Sequence, residues 1–129
     1  MTKKRDLNLD KYSISRNRYR ELYYFCRQYK ENERKLRECY EITSRTQSEV
    51  KTKNKKDPTA IAAAKAAELT GKLRLVEQAA IEAAPNVYQW LIRNVTEEIP
   101  FSVLNPPCGE ASFREMRRKF FYILDKLKE

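Results

Sequence analysis

Four cationic side chains crowd into six residues near the C-terminus: Arg114, Arg117, Arg118 and Lys119. A guanidinium can bridge guanine O6 and N7 or clamp a phosphate, whereas a lysine ammonium serves mainly as a point charge for phosphate. At about 100° per residue, Arg114, Arg117 and Arg118 are expected to project together from one side of a helix. Phe113, Met116, Phe120, Ile123, Leu124 and Leu127 then fall on the other side. The arginines lie near the start of that helix, where recognition helices meet base edges. DNA contact through Arg114, Arg117, Arg118 and Lys119 is one reading. The other is an ordinary solvated face on a terminal helix, whose Lys126 and Lys128 complement the helix dipole whatever the function.

A second basic face is outlined by Arg16, Arg20, Arg27 and Arg34, which recur at intervals of four and seven beside a row of tyrosines. Its alternative reading is a helix side decorated with ion pairs to Glu31, Glu38 and their neighbours. Catalytic chemistry is poorly represented. The chain has no histidine, which removes the usual base for Ser or Cys nucleophiles and the commonest zinc ligand. Its 2 glycines cannot build a phosphate-cradling loop. The carboxylates sit beside Lys and Arg in helical registers rather than as pairs in apolar surroundings. No catalytic residue, metal site or cofactor is therefore expected, and the chain reads as a non-enzyme. Cys26, Cys39 and Cys108 are odd in number and lack C-x-x-C spacing. They read as reduced thiols, with Cys26 a small hydrophobe on an apolar face.

The elements that must position these residues are helical. Charged residues make up 35% of the composition and glycine and proline are few, which favours an all-α fold. Residues 1–13 read as a polar, basic, mobile arm. Ser15 is a plausible N-cap for one long helix from Arg16 to Ile42, with Tyr19, Leu22, Tyr23, Cys26, Tyr29, Leu36 and Tyr40 on one face. Residues 43–57 have too few apolar groups to offset the entropy of ordering and read as a flexible linker. Asp57 and Pro58 read as N-cap and first residue of an alanine-rich helix running to Ala84. Its expected buried face is Ile61, Leu69, Leu73, Val76 and Ala80. The two long helices form a scaffold over residues 14–84, as an antiparallel pair or a homodimer interface.

Residues 85–129 read as a trihelical unit. Asn86 reads as a cap by type, Val87, Trp90, Leu91 and Val95 form a stripe, and Phe101, Val103 and Leu104 make a very short helix. The Pro106-Pro107-Cys108-Gly109 stretch cannot continue a helix. Ser112-Phe-Arg-Glu115 matches a capping box and is expected to start the basic helix. The mini-core is expected to comprise Trp90, Leu91, Val95, Phe101, Leu104, Phe113, Met116 and Phe120; Phe121 and Tyr122 read as packing against the first helix, with partner contacts the alternative. Short helix, turn and basic helix together suggest a helix-turn-helix.

The net charge of +9 is concentrated at the N-terminus and in residues 43–57, a footprint for phosphate backbones or acidic partners. No run of about 18 apolar residues occurs, and no apolar stretch follows the basic start. A cytoplasmic location without membrane association is expected.

The segments Ile14 to Tyr29 (ISRNRYRELYYFCRQY) and Arg117 to Lys126 (RRKFFYILDK) resemble small prophage-encoded late-gene transcriptional regulators of the RinA and ArpU type. The resemblance spans both ends but not the lysine-rich linker. It implies a C-terminal helix-turn-helix or sigma-factor-like unit, with Arg114, Arg117 and Arg118 at recognition-helix positions. The turn before that helix is longer and richer in proline than the usual connection. Two functional classes follow. One is a DNA-binding transcriptional regulator acting on double-stranded DNA, with RNA polymerase as a partner. The other is a phage-type interaction protein that inhibits a host nucleic-acid enzyme or docks on a defence nucleoprotein.

Overall fold

The chain is all-α: a computed structural model describes residues 9–47 and 58–129, and no strand occurs among them. Side chains are described for residues 9–42 and 59–129. A 3₁₀ turn (Asp10–Tyr12) precedes α1 (Arg16–Arg27), α2 (Tyr29–Gln47), α3 (Pro58–Ala83), α4 (Tyr88–Glu97), α5 (Phe101–Leu104) and α6 (Glu110–Lys128). No helix among the described residues is long and apolar enough to cross a membrane.

Two compact units divide these elements. The first joins residues up to Gln28 with Leu75–Glu129, and the second is Tyr29–Arg74. This differs from a scaffold over 14–84 followed by a separate 85–129 unit: α1 packs against α4 and α6, so the N-terminal helix belongs with the C-terminal ones. The expected single helix from Arg16 to Ile42 is interrupted. Ser15 caps α1 as anticipated, its Oγ accepting from the Arg18 N–H at 3.1 Å. At Gln28, however, ψ flattens to −4°, and its N–H is shared between the Tyr24 and Phe25 carbonyls, both at 3.2 Å. Neither glycine nor proline marks this break.

In the first unit the core is aromatic. Phe120 and Phe121 of α6 are fully buried and meet edge to face with centroids 5.1 Å apart, and Phe121 meets Tyr19 of α1 in the same manner at 5.0 Å. Leu22, Cys26, Leu91, Val95, Leu104, Phe113 and Leu124 are also buried. Phe121 packs against α1 as the sequence suggested, whereas Tyr122 meets Tyr12 of the 3₁₀ turn instead, with ring centroids 4.9 Å apart. Trp90, expected in the core, is only half-buried, as are Phe101 and Met116.

The connections differ from the sequence reading in their caps. Val87, not Asn86, occupies the N-cap of α4, without a side-chain bond. Glu98 ends α4 in the left-handed region at φ 57°, and Asn105 ends α5 likewise at φ 47°. Gly109, extended at φ −73° and ψ 153°, starts α6 one residue before Glu110, and its carbonyl accepts from the Phe113 N–H at 3.0 Å. Ser112 therefore lies inside the first turn and no capping box forms.

The basic arm is likewise shorter than expected. Leu9 is 2% exposed, and the 3₁₀ turn that follows ends at Ser13 with φ 58°. Anchored residues 9–13 are thus part of the fold, and residues 1–8 lie outside the described residues. Of the expected linker, Thr43 to Gln47 continue α2, and 48–57, with Asp57, lie outside the described residues.

The second unit is an α2–α3 arm. Cys39, Ala62, Ala66 and Leu69 form its core, with Leu36 packed against them. Ala62, Ala66, Leu69 and Leu73 recur at steps of four, three and four, the seam of closely packed helices. Ile61, expected on that face, is 57% exposed, because the helix turns one residue further and buries Ala62 instead.

Candidate nucleic-acid interface

The helical register of α6 decides what its cations can do. Arg114 is exposed, and its Nη2 donates to Glu110 Oε1 at 2.7 Å, one turn back on the same helix. Lys119 is exposed and makes no ion pair with another described residue. Arg118 is half-exposed and donates from Nη1 to Glu115 Oε2 at 3.1 Å. Arg117 departs from the expected arrangement. Its Nη2 donates to the Tyr19 hydroxyl at 3.4 Å, its guanidinium lies 5.5 Å from the Phe121 ring centroid, and its buried Nε has no partner among the described residues. The reason is spacing: Arg117 is four residues after Phe113, three before Phe120 and seven before Leu124, which places it in the apolar seam. Arg114, Arg118 and Lys119 thus remain on the outer side while Arg117 packs against α1.

Glu115 organises the surface around them. Its Oε1 accepts from Lys11 Nζ at 2.8 Å and from the Tyr12 hydroxyl at 3.1 Å, while Oε2 takes the Arg118 bond. Hydrogen bonds from Lys11 and Tyr12, then Arg118, hold its carboxyl down at about 2. The 3₁₀ turn is thereby fastened to α6. The outer side carries Lys11, Arg114, Arg118 and Lys119 against Glu110 and Glu115, a positive balance placed around exposed Ala111 and Ser112.

Because the folded carboxyl lies below its ordinary value of 4.5, the stability it contributes is present above pH 4.5 and is lost as pH falls towards 2. Glu115→Gln should lower the melting temperature at pH 7, and the gap to wild type should close by pH 2. A gap that persisted unchanged at pH 2 would refute this account of Glu115.

The face drawn through Arg16, Arg20, Arg27 and Arg34 does not survive as one stripe. The break at Gln28 puts Arg34 in the other unit, and Arg27 serves the end of α4. Its Nη1 donates to the Thr96 carbonyl at 3.0 Å, with Nη2 3.7 Å from Glu98. Arg16 and Arg20 stand exposed on α1. Sequence reasoning missed Arg18, whose Nε donates to Asp125 Oδ1 at 2.6 Å in a partly buried bridge between α1 and α6.

Cys26, Cys39 and Cys108 form no disulfide with one another. Burial pushes the Cys26 thiol up to about 12, so it is not a nucleophile at neutral pH. Among the described residues no cluster of His, Cys, Asp or Glu could hold a metal ion. No protein-family model, curated protein or solved structure matches the chain.

Proposed function

We propose that the chain is a non-enzymatic, phage-type transcriptional regulator that binds double-stranded DNA with α6 as its recognition helix. The observation that carries this reading is the exposure of Ala111, Ser112 and Lys119 on the side of α6 away from buried Phe113 and Phe120, with exposed Arg114 at the edge of the buried side, seven residues before Phe121. Small residues at the tip allow the backbone to approach a groove, and Arg114 can exchange Glu110 for phosphate or guanine. That exchange is cheap, since an exposed ion pair of this kind contributes about 0.2–1 kcal/mol. Arg118 and Lys11 flank the tip as phosphate contacts. Arg117 supports the helix from behind and is not assigned to DNA. In this reading α5, the Asn105–Gly109 connection and α6 form the helix-turn-helix-like element, and cytoplasmic RNA polymerase is the partner through which the regulator acts.

Glu110 and Glu115 favour a second reading. They already occupy Arg114 and Arg118, and a mixed-charge surface of this kind suits a protein partner, such as a host nucleic-acid enzyme or a defence nucleoprotein. A titration separates the two. The regulator should bind random duplex with a Kd of about 10⁻⁶–10⁻⁴ M at physiological salt and more tightly at low salt. Absence of duplex binding at tens of micromolar protein in low salt would overturn the DNA reading and leave the protein-partner one.

A further inference from the structure

The α2–α3 arm carries a groove of about 620 Å³ lined by Lys30, Glu31, Glu33, Arg34, Leu36, Arg37, Tyr40 and Leu73. The carboxylates are already satisfied: Glu33 pairs with Lys30 at 3.5 Å and Glu31 with Lys35 at 3.4 Å. Arg34 and Arg37 are exposed, and neither makes an ion pair or hydrogen bond with another described residue. Two uncompensated guanidiniums one turn apart therefore face solvent along one helix edge. One turn further on, Tyr40 is 57% exposed, a large ring left outside the core beside those charges. Leu36 and Leu73 give the groove an apolar floor.

We infer that this groove binds a single strand of nucleic acid, with Arg34 and Arg37 on successive phosphates and Tyr40 stacked on a base. The dimensions agree. Lys30 to Arg37 spans roughly 10 Å along a helix rising 1.5 Å per residue, and a stacked strand advances about 3.4 Å per nucleotide, so about three nucleotides lie along the edge. Free arginines supply the charge, and an exposed aromatic supplies a surface that accepts any base through its π-face. A duplex would leave Tyr40 without a base to stack on, because its bases are stacked on one another. The site lies on α2 and uses no residue of α6, so it does not depend on the regulator reading.

The test uses the full chain and a fluorescent ten-nucleotide oligothymidylate, followed by anisotropy at several salt concentrations. Wild type should bind at low salt. Replacing Arg34 and Arg37 together by alanine should flatten the slope of log affinity against log salt by about 1.4, since each single-strand phosphate contact contributes about 0.7. The paired Arg34→Lys and Arg37→Lys variant should keep the wild-type slope. Tyr40→Ala should weaken binding at least about five-fold, while Tyr40→Phe, which keeps the ring, should stay within about two-fold. A variant combining Arg114→Ala and Lys119→Ala should bind the oligothymidylate as wild type does, which separates failure here from failure of the α6 reading. No binding by wild type, an unchanged slope in the alanine pair, or an unchanged affinity in Tyr40→Ala would each overturn the inference.

Discussion

Phe120→Ala should destabilise the first unit by about 3–5 kcal/mol, the range for truncating a fully buried phenylalanine. Phe120 has no exposed surface, lies edge-on to Phe121, and shares the buried side of α6 with Phe113 and Leu124. Truncation removes the transfer free energy of the ring and leaves a cavity. That cavity cannot easily collapse, because Phe121 is held against Tyr19 of α1 and Leu91 and Val95 of α4 are themselves buried. Losses of this size are a large fraction of the stability of a typical domain, so the variant should melt far below wild type. Phe120→Leu, which keeps much of the volume, should recover a large part of the difference. A near-wild-type melting temperature for Phe120→Ala would mean that this side of α6 is not the packed one.

Much of this packing was legible in the chain. The apolar spacing of α6, the short helix at Phe101–Leu104, the capping role of Ser15 and the burial of Cys26 all follow from local pattern, and local pattern is what periodicity reports. Arg117 was legible too, but only if position is given priority over residue type. It falls at a seam position between Phe113 and Phe120, and the habit of reading arginine as surface hides this. A long side chain with an apolar stem can lie in a seam when its head finds a hydroxyl and an aromatic face, here Tyr19 and Phe121. The break at Gln28 has no such signal, since no helix-breaking residue stands there. The anchoring of the 3₁₀ turn was invisible for a different reason: Lys11 and Glu115 are 104 residues apart, and such pairing is fixed by tertiary structure alone. The false capping box has a related cause. Ser112 and Glu115 have the right types and spacing, but Gly109 begins the helix earlier and Lys11, Tyr12 and Arg118 take up the Glu115 carboxylate.

The register of α6 makes its two kinds of arginine separable in one experiment. Replacing Arg114 and Lys119 together by alanine should leave the melting temperature close to wild type, because both side chains are exposed and Arg114 gives up only a surface pair with Glu110. Duplex binding should change strongly. Each lost phosphate contact flattens the salt slope by about 0.9, so the pair should flatten it by about 1.8. If Arg114 reads a guanine instead of a phosphate, the slope should flatten by about 0.9 and a loss of about 1–3 kcal/mol should fall chiefly on the preferred sequence. Arg117→Ala should show the opposite signature. It removes a charged hydrogen bond to Tyr19, worth about 1.5–3 kcal/mol, and the contact with Phe121, worth about 0.5–2 kcal/mol for a partly desolvated pair. Stability should therefore fall while the salt slope of the protein that remains folded stays at the wild-type value. Arg117→Met keeps an unbranched stem in the seam and removes the buried Nε donor that lacks a partner, so it should retain more stability than Arg117→Ala. Equal loss of salt slope in the Arg117→Met variant and in the Arg114→Ala, Lys119→Ala pair would place Arg117 on the DNA and overturn the division of labour drawn from its packing.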